Sequence, residues 1–112
     1  TPLETLAHPQ SRRVMSAENV ALLRKMLRQV VEEGTAQDAA WLEEGAGGKT
    51  GTAQTGQFTP DGTERKNLWF AGFYPAQQPR YTIVVLQDGQ VSTEHSSAAI
   101  FARLCAMLDL LA

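Results

Sequence analysis

The feature that most constrains the fold is an apolar run without alternation, Ile-Val-Val-Leu, at residues 83–86. It lies within a longer segment, residues 81–87, whose β-branched and aromatic side chains are typical of a strand. A strand with one solvated face alternates apolar and polar residues, so a run without alternation predicts burial on both faces. A sheet that is covered on both sides needs helices on both sides. Two helical segments in the chain agree with that requirement.

Other segments are predicted to join this strand in a sheet. Residues 68–74 have the same composition, and the five-residue connection at 75–79 suits a hairpin. Strand character also begins near Ala46, and a Pro-Asp-Gly turn signal makes residues 57–66 a predicted polar loop. An Asp-Gly pair at residues 88–89 predicts a turn. The sequence therefore predicts an α+β fold, an antiparallel sheet of about three or more strands flanked by an N-terminal and a C-terminal helix.

Both predicted helices have wide apolar faces. The first begins at the N-cap Ser16 and ends at the C-cap Gly34. Its predicted apolar stripe consists of Val20, Leu22, Leu23, Met26, Leu27, Val30 and Val31. The last helix covers residues 98–111, and we expect it to lie on the sheet with Cys105 in the core. Its predicted buried face consists of Ile100, Phe101, Leu104, Met107, Leu108 and Leu111.

Residues 47–54, Gly-Gly-Lys-Thr-Gly-Thr-Ala-Gln, combine one cation, threonine hydroxyls and three glycines, a surface that suits a carboxylate or a phosphate. A phosphate-binding P-loop would need a glycine at position 43, which is Glu43, and a helix after the lysine. The residues that follow, among them Gly51 and Gly56, are poor helix formers. The nucleotide-binding hypothesis is therefore disfavoured.

Three blocks in order carry a resemblance to a known family. They are Gly-Thr-Ala at residues 34–36 closing a helix, the Lys-Thr-Gly-Thr segment, and Trp-Phe-Ala-Gly-Phe-Tyr-Pro at residues 69–75. From about Arg13 to its end, the chain resembles the C-terminal part of the transpeptidase domain of class B penicillin-binding proteins. The family's Ser-x-x-Lys and Ser-x-Asn motifs are absent from these 112 residues. We expect residues 1–112 to be one unit, a partial domain of the penicillin-binding protein and serine β-lactamase-like fold.

The resemblance implies acyl transfer at a peptidoglycan stem peptide that ends in D-Ala-D-Ala, and binding of β-lactams. It implies that Lys49 and the backbone N–H of Thr52, as an oxyanion donor, are catalytic. Because side chains alternate along a strand, Thr50 and Thr52 share one face and Lys49 takes the other. We therefore expect both threonine hydroxyls to meet the substrate carboxylate, with Gly51 leaving room for a substrate beside the strand.

Several other classes of function are not indicated. The net charge of −2 gives no attraction for nucleic acid, and His8 and His95 lack metal-ligand spacing. Neither a cofactor nor a metal is expected. No apolar run approaches the roughly 20 residues that a membrane span needs. The resemblance implies a parent protein at the extracytoplasmic face of the bacterial cell membrane, anchored by an upstream segment.

The resemblance also implies a partner, the missing N-terminal part of the same transpeptidase domain, which holds the nucleophile. We expect that part to cover one face of the sheet, while both helices cover the other. Without it, apolar area around Trp69, Phe73 and residues 83–86 would be exposed. We expect the chain alone to be inactive and to self-associate, through this face or by exchanging its N-terminal segment. The alternative is a non-catalytic interaction module built on the same half-domain.

Overall fold

A computed structural model describes residues 10–92 and 95–111. The fold is α+β, as predicted, with a short 3-10 turn at Gln37–Ala39 after the first helix. The elements in chain order are α1 (Ala17–Glu32), β1 (Gly47–Phe58), β2 (Glu64–Tyr74), β3 (Tyr81–Gln90) and α2 (Ser97–Leu111). The strands form one antiparallel sheet in the order β1-β2-β3. His8 lies outside the described residues.

The strands are longer than the sequence predicted. The predicted loop at residues 57–66 shrinks to 59–63, because β1 continues to Phe58 and β2 begins at Glu64. A hydrogen bond of 2.8 Å from the Thr59 N–H to the Thr63 carbonyl closes this hairpin. The Asp-Gly pair at 88–89 is not a turn between elements but an irregularity inside β3, where the register with β2 shifts. The Asn67 side chain accepts the Gly89 N–H there at 2.9 Å, which lets the strand continue.

The capping prediction for α1 is confirmed at its start and corrected at its end. Ser16 has an extended backbone, and its hydroxyl accepts the N–H of Asn19 at 3.2 Å. At the other end, α1 stops at Glu32, before the predicted C-cap. Gly34 does not have a positive φ. It instead lies against the last turn, since a Cβ there would come within 3.0 Å of the Val30 Cα and carbonyl oxygen.

The core lies on one face of the sheet. Phe70, Tyr74 and Val85 are buried on that face, and the Phe70 and Phe101 rings pack with their centroids 4.7 Å apart. Val31 of α1 belongs to the same buried cluster, so both helices cover this face. Its remaining members are Ala36, Ala39, Leu42, Ala46, Ala98, Ala102 and Cys105.

The other face of the sheet is open among the described residues, so the two helices do not lie on opposite sides of the sheet. They share one face, and the open face is the one that we expected the missing part of the domain to cover. Val84 is 58% exposed, Leu86 45% and Trp69 40%. Alternation is a property of the strand backbone, so residues 83–86 necessarily divide between the two faces. The sequence does not alternate because the open face is apolar as well. An apolar face of this kind is typical of a surface that another element covers.

The predicted apolar faces of both helices are partly wrong. In α1, Leu22, Leu23 and Met26 are exposed, and Val31 is the buried residue. In α2, Phe101 and Cys105 are buried as predicted, whereas the predicted contacts Leu104, Met107 and Leu111 are exposed. The helix α2 is apolar around much of its circumference, so periodicity alone does not identify its packed face. Small residues decide it, because Ala98 and Ala102 let α2 approach the sheet closely.

A hydrogen bond between a tyrosine of β2 and an aspartate of α2 fastens the helix to the sheet. The buried Tyr74 donates its hydroxyl to the Asp109 carboxylate at 2.5 Å. Burial, and then this partner, raise the pKa of Tyr74 above its usual value. Burial also raises the pKa of the Cys105 thiol to about 11, with the Asp109 charge as a second cause. Cys105 is therefore a protonated core residue at neutral pH, as the sequence indicated.

The close contact between β1 and β2 gives a testable prediction at Gly48. A methyl group there would lie 2.5 Å from both the Ala71 carbonyl oxygen and the Phe70 ring, and a backbone oxygen cannot move cheaply. We expect Gly48→Ala to lower the free energy of unfolding by about 1–3 kcal/mol, measured by denaturant titration. Gly51→Ala is the matched control, because the nearest atom to its new Cβ is Trp69 Cβ at 3.6 Å. Equal destabilisation by both changes would contradict this packing.

Candidate functional site

The Lys-Thr-Gly-Thr segment lies in the first half of β1, at the edge of the sheet. An edge strand leaves alternate backbone N–H and C=O groups without a neighbouring strand. The segment continues as strand to Phe58 and does not open a helix. It therefore lacks the helix N-terminus that a P-loop presents to phosphate.

The register of β1 with β2 assigns each side chain to a face. Thr50 pairs with Phe70, which lies on the helix-covered face, and Thr52 is two residues further along the same face. Lys49 pairs with Ala71 and takes the open face. The structure therefore separates the lysine from the two threonines in the way that the period of a strand predicts.

Lys49 is exposed, and its ammonium donates to the Thr50 carbonyl oxygen at 3.0 Å. Among the described residues, the one ion pair joins Arg28 and Glu32 on α1. No described carboxylate therefore neutralises the charge of Lys49. A cation without an ion-pair partner at a sheet edge attracts anions from solvent.

Thr50 is half-buried, and its hydroxyl oxygen lies 2.9 Å from that of Thr35. Thr35 follows α1 and precedes the 3-10 turn. The bond therefore joins the edge strand to the segment that leaves α1. The sequence did not identify Thr35 as a site residue, although it lies in the Gly-Thr-Ala block at residues 34–36. The 15-residue separation of the two threonines gives no sequence signal of their contact.

Next to the threonines lies a cleft of about 300 Å³. Its lining consists of Thr35, Thr50, Gly51, Thr52, Leu68, Trp69, Ser96, Ser97 and Ala98. Five of these side chains carry hydroxyl groups, which both donate and accept hydrogen bonds. The cleft brings Thr50, Gly51 and Thr52 together, and Lys49 projects from the opposite face of the strand.

The start of α2 forms one wall of this cleft. The Ser97 hydroxyl donates to the Leu68 carbonyl oxygen at 2.7 Å and accepts from the Gln87 side chain at 3.0 Å. The Ser96 hydroxyl accepts the Ala99 N–H at 3.0 Å as the helix cap and donates to Asp38. Ser97 therefore ties the start of α2 to the sheet, whereas Ser96 caps the helix and ties it to the 3-10 turn. The sequence did not identify either serine as part of the site.

The described residues contain no group of three or more His, Cys, Asp or Glu side chains that could hold a metal ion. No helix among them is both long enough and apolar enough to span a bilayer.

The sequence model of the penicillin-binding protein transpeptidase domain matches residues 4–106. This chain belongs to that family. The penicillin-binding transpeptidase segment is 38% identical over 91 residues to penicillin-binding protein PbpB of Mycolicibacterium smegmatis, covering 71% of the chain. It is 37% identical over 82 residues to a peptidoglycan D,D-transpeptidase FtsI homolog of Chlorokybus atmophyticus, covering 70% of the chain.

A solved structure of a relative supports the fold of the transpeptidase segment. The crystal structure of penicillin-binding protein 3 from Mycobacterium tuberculosis, complexed with ampicillin, superposes with a TM-score of 0.73 at 31% identity. This match covers 94% of the segment and 26% of that chain. The segment spans 14% of the M. smegmatis protein and 12% of the C. atmophyticus protein. The relatives therefore contain much more chain than these 112 residues.

Proposed function

We propose that this chain is the C-terminal segment of a peptidoglycan D,D-transpeptidase domain and that it supplies the strand that binds the substrate carboxylate. The observation that carries the proposal is the edge strand β1. It presents an ammonium that no described carboxylate neutralises on one face and two threonine hydroxyls on the other. Family membership and the D,D-transpeptidase relative support the assignment of the reaction.

In this proposal, the threonine face of β1 binds the terminal carboxylate of a stem peptide that ends in D-Ala-D-Ala. The hydroxyls of Thr50 and Thr52 donate to the carboxylate oxygens, and both line the cleft. Gly51 keeps the space beside the strand free of a side chain. The positive charge of Lys49, a few ångströms away across the strand, favours the bound anion. β-Lactams carry a comparable carboxylate and occupy the same place.

The backbone N–H of Thr52 is the proposed oxyanion donor. Residues two apart on a strand direct their backbone groups to the same side. The Thr50 carbonyl receives the Lys49 ammonium at the edge of the sheet, which supports an outward direction for the backbone groups of Thr50 and Thr52. An outward N–H at Thr52 is free to stabilise the negative oxygen of a tetrahedral intermediate.

The nucleophile comes from the part of the domain that carries Ser-x-x-Lys. Its serine attacks the amide carbon of the penultimate D-alanine, the C–N bond breaks, and D-alanine leaves with the transferred proton. An amine of a second stem peptide then attacks the ester carbonyl carbon. The new C–N bond is the cross-link, the C–O ester bond breaks, and the serine oxygen takes up the proton that the amine loses. That part of the domain covers the open face of the sheet and approaches Lys49 there. The reaction takes place at the extracytoplasmic face of the bacterial membrane, where the anchored parent protein meets peptidoglycan.

The first prediction from the proposed function concerns Lys49 in the full-length protein. Lys49→Ala should slow acylation by a fluorescent penicillin roughly ten- to a hundredfold, since a charged hydrogen-bonding group is lost. The melting temperature should barely change, because the side chain is exposed. Lys25→Ala, which removes an exposed lysine of α1, is the control and should acylate normally. Unchanged acylation with a sharply lower melting temperature would make Lys49 structural.

The second prediction concerns the 112-residue chain by itself. Because it lacks Ser-x-x-Lys, it should form no covalent adduct with a fluorescent penicillin, assayed on a denaturing gel. The full-length protein is the positive control. A labelled band of one-to-one stoichiometry from the short chain would show that another residue acts as the nucleophile.

The third prediction concerns the open face of the sheet. In the isolated chain, no described element covers Trp69, Val84 and Leu86, so two copies should pair through them. Sedimentation equilibrium at micromolar concentration should give a mass above the 12.2 kDa of one chain. Val84→Lys should restore the monomer, and Leu22→Lys, on the exposed side of α1, should not. A monomeric wild-type chain would contradict the proposed association.

A further inference from the structure

Thr35 is held rigidly beside the proposed carboxylate site. The N–H groups of its two neighbours, Gly34 and Ala36, both donate to the Val30 carbonyl oxygen at 3.1 Å. Ala36 is completely buried in the core. Thr35 is thus fixed on both sides by the last turn of α1, and its hydroxyl reaches Thr50 at 2.9 Å. A pre-organised hydroxyl of this kind loses little freedom when it forms a hydrogen bond.

The chemistry of two paired hydroxyls favours one arrangement when an anion binds. Each hydroxyl has one hydrogen to donate and lone pairs to accept, whereas a carboxylate only accepts. When Thr50 donates its hydrogen to a carboxylate, its oxygen can still accept, and the Thr35 hydroxyl is the neighbour placed to donate. A donor behind Thr50 fixes its rotamer and strengthens the bond to the anion, because hydrogen bonds in a chain polarise one another.

We propose that Thr35 is a positioning residue that orients and polarises the Thr50 hydroxyl toward the substrate carboxylate. This inference rests on the proposed carboxylate-binding role of β1. It assigns a role to the Gly-Thr-Ala block at residues 34–36, which the proposed chemistry otherwise leaves unused. It also explains why a threonine that does not belong to the strand lines the same cleft as Thr50 and Thr52.

The test measures the second-order rate constant of acylation of the full-length protein by two probes. One is a fluorescent penicillin with a free carboxylate, and the other is its methyl ester, which lacks the charge. Thr35→Val preserves the shape of the side chain and removes the hydroxyl. It should slow acylation by the free acid roughly three- to tenfold, the range expected for one hydrogen bond, and should leave the ester unaffected. Thr35→Ser keeps the hydroxyl and should restore the rate for the free acid.

A double-mutant cycle then tests whether Thr35 acts through Thr50. Thr50→Val alone should remove most of the preference for the free acid over the ester. In that background Thr35→Val should have no further effect, because the hydroxyl that it orients is gone. Ser16→Ala removes the helix cap at the other end of α1 and controls for stability. It should lower the melting temperature without changing the ratio of the two rate constants.

The outcomes separate this inference from the function on which it rests. A loss of preference in Thr50→Val but not in Thr35→Val would overturn the role of Thr35 alone. Equal slowing of both probes by Thr35→Val, or additive effects of the two changes, would also overturn it, since either result indicates a structural role. If Thr50→Val and Lys49→Ala both keep the full preference for the free acid, the proposed carboxylate site itself fails, and the positioning role fails with it.

Discussion

The pairing of β1 with β2 determines which face each residue of the proposed site occupies. A shift of one residue would move Thr50 and Thr52 to the open face and Lys49 to the helix-covered face. Two glycines prevent this shift. A Cβ at Gly47 would overlap the Phe73 ring, and one at Gly48 would lie 2.5 Å from the Phe70 ring. A shift in either direction would bring the side chain of Ala46 or Lys49 into one of these positions, so the aromatic rings of β2 fix the register sterically.

The helix-covered face is held in place along the whole length of α2. Ser97 bonds the Leu68 carbonyl at the start of the helix, Phe101 packs on Phe70 in its middle, and Asp109 accepts from Tyr74 near its end. These contacts all involve β2, the central strand. Because the first of them lies at the wall of the hydroxyl-lined cleft, the packing of α2 also defines the space in which a ligand would meet Thr50 and Thr52.

The open face has the opposite character, since it carries exposed apolar side chains and the Lys49 ammonium together. Val84 and Lys49 are both cross-strand neighbours of Ala71, so the lysine stands at the margin of the apolar surface. The family relatives are far longer than this chain. Both facts support the proposal that the rest of the transpeptidase domain covers this face, since one packed surface would then bury the apolar residues and reach the lysine.

The local order of the elements could be predicted from the sequence because it depends on local chemistry. Strand composition, the Ser16 cap and the Lys-Thr-Gly-Thr block are properties of neighbouring residues, and they predicted the α+β class, the start of α1 and the alternation of Lys49 with Thr50. Both ends of the hairpin loop were misplaced, since Phe58 and Glu64 extend the strands through pairing with each other.

Tertiary structure alone decided which faces are packed and which distant residues meet. The run at residues 83–86 and the apolar circumference of α2 are compatible with several arrangements, and only close packing of small residues such as Ala102 selects one. The contact of Thr35 with Thr50 likewise could not be predicted from the spacing of the two residues in the sequence or from the composition of the chain. The sequence by itself determined the family, the elements and the chemistry available on β1. The tertiary structure decided the exposed face and the partner of Thr50, because both depend on side chains that the fold brings together from distant positions in the chain.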